Sequence, residues 1–268
     1  MAGFDTRNVA RISGSSRTRD EDLVTSEEAL SISLSDEVHG LHNIGVTMRT
    51  RGDDRILVLG FLFSEGIIDS IDHVVGIETD EESVTVSLGR GSSFDPNVHC
   101  RPSTVTSACG ICGRSTIDDA RHIHAPELGE EFRISMSTVS LCLDSMMSGQ
   151  KLFAKTGGSH ACATFDEHGV MHRIFEDVGR HNAMDKLVGS YVSDSMIPVC
   201  ELAAFVSGRS SFELVQKSIR AGFSTMVSIG APTTLAVDLA NEHGLTLICF
   251  AKNDSITIYS GVRRVVGD

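Results

Sequence analysis

Residues 199–251 read VCELAAFVSGRSSFELVQKSIRAGFSTMVSIGAPTTLAVDLANEHGLTLICFA, and their alternation of apolar runs with amphipathic stretches decides the fold. A strand over 199–206 runs into Ser207-Gly208-Arg209-Ser210-Ser211, where Ser210 and Glu213 read as a capping box. A helix then follows through Leu214, Val215 and Ile219. TMVSIG is a second strand, Pro232-Thr233 opens a second helix, and LTLICFA is a third strand. This rhythm predicts a layered α/β domain of parallel strands with crossover helices.

The pattern extends in both directions. SITIYS (255–260) closes the chain as a strand; upstream lie an amphipathic helix over 137–150, a strand pair at 161–175, and a helix opening near Asn182 with Asp185 three residues on. That helix is expected to bury Met184, Leu187, Val188 and Tyr191. Nearer the N-terminus, EALSISL (28–34) alternates as a half-buried strand. RILVLGFLFSEG (55–66) reads as a helix with Asp53 and Asp54 at its positive end, and VVGIE and SVTVSL read as strands flanking an acidic turn. Residues 89–113 hold glycines and prolines without period and read as a long, mobile loop. Residues 1–20, with Arg7, Arg11, Arg17 and Arg19 among small polar residues, read as a flexible arm. The expected organisation is therefore an arm (1–20), a smaller α+β subdomain (21–128) and an α/β domain (129–268).

The chain's 36 acidic against 23 basic residues give a net charge of −13, which argues against nucleic acid as the main partner. With neither a signal-type apolar run nor a stretch long enough to span a bilayer, the expected location is the cytoplasm, away from membranes. The seven cysteines are an odd number in a chain without an export signal, which disfavours a disulfide framework. Cys142, Cys200 and Cys249 lie in apolar runs and read as small buried hydrophobes. Cys100 has no such cover.

Ser107-Ala108-Cys109-Gly110-Ile111-Cys112-Gly113-Arg114 is the sharpest motif. Two thiols three positions apart converge when the chain turns, the glycines let a partner approach, and Arg114 favours a thiolate. Structural zinc would need two further ligands, for which His122 and His124 are the nearby candidates. Thioredoxin-type redox chemistry expects the pair soon after a strand. Sulfur carriage as a persulfide needs a nucleophilic, mobile thiol with a second thiol nearby, and the loop's expected mobility favours it.

Downstream, the start of one strand and the ends of three others offer polar groups. His160, in TGGSHAC, is a candidate ligand group or an ordinary turn histidine. Glu176-Asp177-Val178-Gly179-Arg180-His181-Asn182 opens a helix, so Arg180 and His181 are candidates for a phosphate site, or an Asp–Arg pair merely fixes a turn. Ser207-Gly208-Arg209 repeats the strand-to-helix logic without a Walker signature. Phe250-Ala251-Lys252-Asn253-Asp254-Ser255 is either a ligand-binding strand end or a plain hairpin turn. Arg180, Arg209 and Lys252 would face one crevice suited to a phosphate-bearing cofactor.

These blocks resemble the formate dehydrogenase accessory sulfurtransferase family, FdhD. The likeness is carried, in order, by TRGDDRILVLGFLFSEGII (50–68), SACGICGR (107–114), TGGSHACATF (156–165), EDVGRHNAMDKLVG (176–189), SGRSSFELVQK (207–217), GAPTTLAVDLA (230–240) and LTLICFAK (245–252). The resemblance implies a cytoplasmic homodimer that takes sulfur from a cysteine desulfurase. It passes the sulfur to the molybdenum cofactor, the bis-molybdopterin guanine dinucleotide form, for formate dehydrogenase. It implies Cys109 as persulfide carrier, Cys112 as its helper, Phe250 to Ser255 as cofactor-binding residues, and a guanine nucleotide such as GDP or GMP as a surrogate ligand. It also implies a cytidine-deaminase-like second half. Deaminase chemistry is disfavoured, since the nearest match to H-x-E is His160-Ala161-Cys162. The competing class is a non-covalent molybdenum-cofactor chaperone whose cysteine pair is structural or holds zinc.

Overall fold

The computed structural model describes residues 3–100 and 125–267. Cys109 and Cys112, and with them the sequence reading of their loop beyond residue 100, lie outside the described residues. Four strands form a first sheet in the order β4-β3-β6-β5: β3 (Glu28–Asp36), β4 (Gly40–Arg49), β5 (Val74–Thr79) and β6 (Ser83–Leu88). Its inner face follows from alternation. Leu30, Ile32 and Leu34 on β3 and Val84, Val86 and Leu88 on β6 are buried, while Ser31, Ser33 and Ser35 take the other face. Only β3 and β6 run parallel. Beyond β6, Asp95 caps a single turn, α2 (Pro96–His99), by accepting from the N–H of Asn97.

The second sheet has six strands in the order β13-β12-β11-β10-β8-β9. The three strands of the opening sequence, β10 (Ala203–Val206), β11 (Thr225–Ser228) and β12 (Thr246–Lys252), are parallel as expected. The sheet as a whole is mixed. β8 (His160–Phe165), β9 (Met171–Asp177) and β13 (Ser255–Ser260) run antiparallel to their neighbours, because the turns at 166–170 and 253–254 are too short for a crossover. One face is covered by α3 (Met136–Gly149), opened by Ser135 accepting from the N–H of Thr138. The other is covered by α5 (Arg180–Ser193), α6 (Phe212–Ala221) and α7 (Thr234–Glu242), with α1 (Asp54–Ser64) behind α5. α4 (Lys151–Thr156) links α3 to β8, and the short strands β7 (Ile134–Ser135) and β14 (Val265–Val266) pair parallel.

One apolar core runs from Leu30 and Val84 of the first sheet through α1 and α5 to Met226 and Leu247 of the second, and another lies between the second sheet and α3. The first is centred on the crossing of α1 and α5. A Cβ on Gly60 would lie 1.9 Å from the Asp185 carbonyl oxygen, and one on Gly189 1.9 Å from that of Ile56. Backbone meets backbone there, a spacing that only glycine permits.

Three expectations are corrected. The expected arm is built: β1 (Phe4–Ser13) and β2 (Ser16–Thr25) pair as a two-stranded antiparallel ribbon. The helix near Asn182 is entered from Gly179, with no side-chain cap. Asn182 instead donates to the Met48 carbonyl and to Asp177, and Asp185 pairs with Lys217. The capping box at 210–213 does not form: Ser211 is the N-cap without a side-chain bond, and the Glu213 carboxylate sits against His181. No helix among the described residues is long and apolar enough to cross a membrane.

Candidate functional site

Strand direction gathers the candidate residues at one end of the second sheet. β10, β11, β12 and β9 end there and β8 begins there, so His160 lies beside Asp177 and next to the turn that follows Val206. Ser207 continues the β8–β10 pairing past the strand, its hydroxyl accepting from the Ala161 N–H at 2.8 Å. Gly208 then comes close to two side chains: a Cβ there would lie 3.5 Å from His160 Nδ1 and 3.9 Å from Arg180 Cδ. The Gly208 carbonyl accepts from Ser228 Oγ at 2.8 Å and the Gly230 N–H at 3.0 Å, and the Gly230 carbonyl accepts from the Phe250 N–H at 3.1 Å. A Cβ on Gly230 would be 2.8 Å from the Gly208 oxygen, so the ladder of turns needs glycine there. Phe250 takes a left-handed φ of 51° and is 43% exposed.

The polar cluster at 176–182 resolves into structural and uncommitted groups. Glu176 accepts from the N–H groups of Leu152 and Phe153 and from Ser159 Oγ. Asp177, fully buried, accepts from the N–H groups of Thr50 and Gly179 and pairs with Lys186 Nζ at 2.8 Å. Lys186 also donates to the Thr50 carbonyl at 3.1 Å. The Asp–Arg pair weighed from sequence is thus an Asp–Lys pair. Among the described residues neither Arg180 nor the exposed Arg209 has an ion-pair partner, and Arg180 Nε is buried without an acceptor.

His181 Nε2 lies 3.1 Å from Glu213 Oε2 and 3.3 Å from Ser211 Oγ. Burial first, then the Arg180 charge, pushes His181 down to about 3, and the same two causes lower His160. A neutral imidazole donates from Nε2 to Glu213, so this carboxylate fixes the tautomer. An unfolded histidine protonates near 6.5. Stability contributed by these two groups is therefore complete above that pH and is lost as pH falls towards their folded values, at most about 1.4 kcal/mol per pH unit for each. The urea midpoint should drop between about pH 7.5 and about pH 5, and His181→Gln should flatten the slope. A wild-type midpoint constant over that range would contradict the assignment.

The 250–255 segment divides. Phe250 joins the cluster around Gly230; Ala251 points into the core on the α3 face. Lys252 pairs with Ser255 across the Asn253-Asp254 turn. Asn253 Nδ2 donates to Asp144 at 2.8 Å, and its carbonyl accepts from Ser140 at 2.6 Å, which anchors the turn to α3. These residues form the turn of the β12–β13 hairpin. Lys252, Asp254 and Ser255 are exposed beyond the others, and no described contact joins them to Arg180 or Arg209. Gly230 and Glu213 belong to the cluster and escaped the sequence reading. A glycine between a strand and a helix was the signal for the first; the second was hidden by its cap-like position.

Among the described cysteines, Cys142, Cys162 and Cys249 are buried, and burial raises all three thiols, Cys142 to about 12. Burial also raises Cys100, with Asp95 adding to it. Cys200 is only half-buried, contrary to the expectation from its apolar run. No described group of three histidine, cysteine or carboxylate side chains is arranged to hold a metal.

A sequence model of the FdhD/NarQ family matches residues 25–266. The chain belongs to this family. FdhD relatives extend the match to nearly full length. The sulfur carrier protein FdhD of Thermoplasma acidophilum is 40% identical, over 97% of this chain and 93% of the relative. That of Nocardia farcinica is 37% identical, over 97% and 94%. A crystal structure of a formate dehydrogenase accessory protein from Desulfotalea psychrophila superposes with a TM-score of 0.80 at 20% identity, over 98% of this chain and all of that one. It shares the fold.

Proposed function

We propose that this FdhD-family protein is a cytoplasmic, homodimeric sulfurtransferase. It accepts sulfur from a cysteine desulfurase on Cys109 and delivers it to the bis-guanine-dinucleotide molybdenum cofactor destined for formate dehydrogenase. The observation that carries the substrate side is the Arg180 guanidinium, with its Nε buried and unpartnered beside Gly208 and the exposed Arg209. A buried donor without an acceptor is costly, and a phosphate oxygen supplies the acceptor and the countercharge. Gly208 and Gly230 keep side-chain bulk away from such a ligand, and the Phe250 ring offers a face on which guanine stacks.

In the loading step the Cys109 thiolate attacks the terminal sulfur of the desulfurase persulfide. The new S–S bond forms as the old one breaks, the desulfurase cysteine leaves as thiolate, and no net oxidation occurs. For release, Cys112 attacks Cys109, forming the Cys109–Cys112 disulfide and expelling the outer sulfur as hydrosulfide. The two thiol sulfurs supply the two electrons, and the bound cofactor receives the sulfide as substrate.

Incubation with desulfurase and cysteine should add one sulfur atom to the intact mass. Cys109→Ala should lose the adduct and all formate dehydrogenase activation, yet bind GDP as wild type does. Arg180→Gln should keep the adduct and bind GDP about tenfold or more weakly, the worth of one charge-assisted hydrogen bond. Activation retained by Cys109→Ala overturns the carrier assignment. Stoichiometric zinc without a sulfur adduct makes the protein a chaperone instead.

A further inference from the structure

A cleft of about 410 Å³ lies at the opposite end of the second sheet from the Arg180 site. His243 and Gly244 form one side of it, just before β12 begins at Thr246. The Arg180 site adjoins the other end of that strand, where the Phe250 N–H bonds to Gly230. The length of β12 therefore separates the two.

The cleft has an apolar wall, from Ala125, Pro126 and Leu128, and a cationic one, from His243, Arg263 and Arg264. Two polar groups of the cationic wall lack acceptors. His243 Nε2 is buried with no hydrogen-bond partner. The imidazole stands at the C-terminal end of α7, whose dipole favours positive charge, and either the protonated ring or the Nε2–H tautomer makes this atom a donor. Arg264 is fully buried. Its Nε donates to the Gly129 carbonyl, Nη1 to the Gly244 carbonyl and Thr246 Oγ1, and Nη2 to the Gly129 carbonyl again. For the second Nη2 hydrogen the nearest described carboxylate is Glu130, at 4.0 Å, beyond hydrogen-bond length. Burial, then the charge of Arg263, works against the charged form of Arg264, with Glu130 offsetting in part and Arg133 adding to the strain. Arg263 pairs with Glu130, but both side chains are more than half exposed, and such a pair is readily exchanged for another anion.

We propose that this cleft binds a small molecule carrying a phosphate or carboxylate group on an apolar body. The oxyanion accepts from His243 and from the spare Arg264 hydrogen and replaces Glu130 at Arg263, while the body lies on Ala125, Pro126 and Leu128. The volume is that of a small-ligand site. The inference is independent of the guanylate and sulfur readings above.

Histidine-selective NMR of the full chain tests it, with phenyl phosphate and benzoate as probes. Inorganic phosphate and acetate are their counterparts with little or no apolar body. The His243 ring signal, identified by its loss in His243→Gln, should shift saturably with phenyl phosphate or benzoate, and the one that acts names the oxyanion. Arg263→Gln should weaken that binding about tenfold or more, as should use of the counterpart anion, whereas Arg180→Gln should leave it unchanged. No saturable shift with either probe, or a shift indifferent to Arg263→Gln, overturns the site. A counterpart that binds as tightly as its probe overturns the role of the apolar wall. GDP binding and the persulfide mass measurement are read separately, so failure here leaves those readings standing.

Discussion

Gly189→Ala should destabilise the protein by about 4 kcal/mol or more, although alanine is the better helix former by about 1 kcal/mol. The new methyl would lie 1.9 Å from the Ile56 carbonyl oxygen and 2.6 Å from the Gly60 nitrogen, both backbone atoms that cannot rotate away. Relief requires α1 and α5 to separate, which loosens the apolar packing of Leu57, Leu187 and Val188. Small domains of ordinary stability hold only about 5–15 kcal/mol, so such a loss would be visible as poor soluble yield. Gly76→Ala is the control, since its methyl meets only Ser87 Cβ, at 3.9 Å. Urea denaturation of both variants gives the comparison. If Gly189→Ala unfolds within about 1 kcal/mol of wild type, the backbone crossing is not as close as described.

Lys186→Met should cost about 3–5 kcal/mol, because it leaves the fully buried Asp177 charge without its cation. The carboxylate also holds the Thr50 N–H, and Lys186 the Thr50 carbonyl, so the damage reaches the end of β4. Asp177→Asn should cost less, since the amide oxygen still accepts from backbone N–H groups. In the double variant the losses should fall short of additive, the mark of a coupled pair. Denaturation of the four proteins completes the cycle. Strict additivity would show that the two side chains act independently.

Periodicity made most elements legible. The strands at 28–36 and 83–88 alternate visibly because one face is wet, and the buried strands at 203–206, 225–228 and 246–252 stand out between helical stretches. The parallel direction of β10, β11 and β12 was legible from their crossover helices, whereas β8, β9 and β13 run antiparallel because the connectors beside them are too short to cross over. The β1–β2 ribbon escaped because both of its faces meet water and no apolar alternation marks it. The cap readings at Asp185 and Glu213 failed for another reason: each carboxylate is claimed by a cation or imidazole about 30 residues away in sequence, Lys217 and His181 respectively. For the site, glycine-rich strand ends drew attention to Arg180 and Arg209, which the fold places at one end of the second sheet. That Asp177 would choose Lys186 over Arg180 depends on which cation the packing buries, and this is a property of three dimensions.

The burial of Cys142, Cys162 and Cys249 acquires meaning beside the carrier thiol proposed at Cys109. Sulfane sulfur migrates to any accessible thiolate, and a chain with several reactive cysteines would scramble its cargo among them. Under the carrier role proposed for Cys109, apolar packing that buries these sulfurs and raises their thiols would remove three sinks for the transferred sulfur.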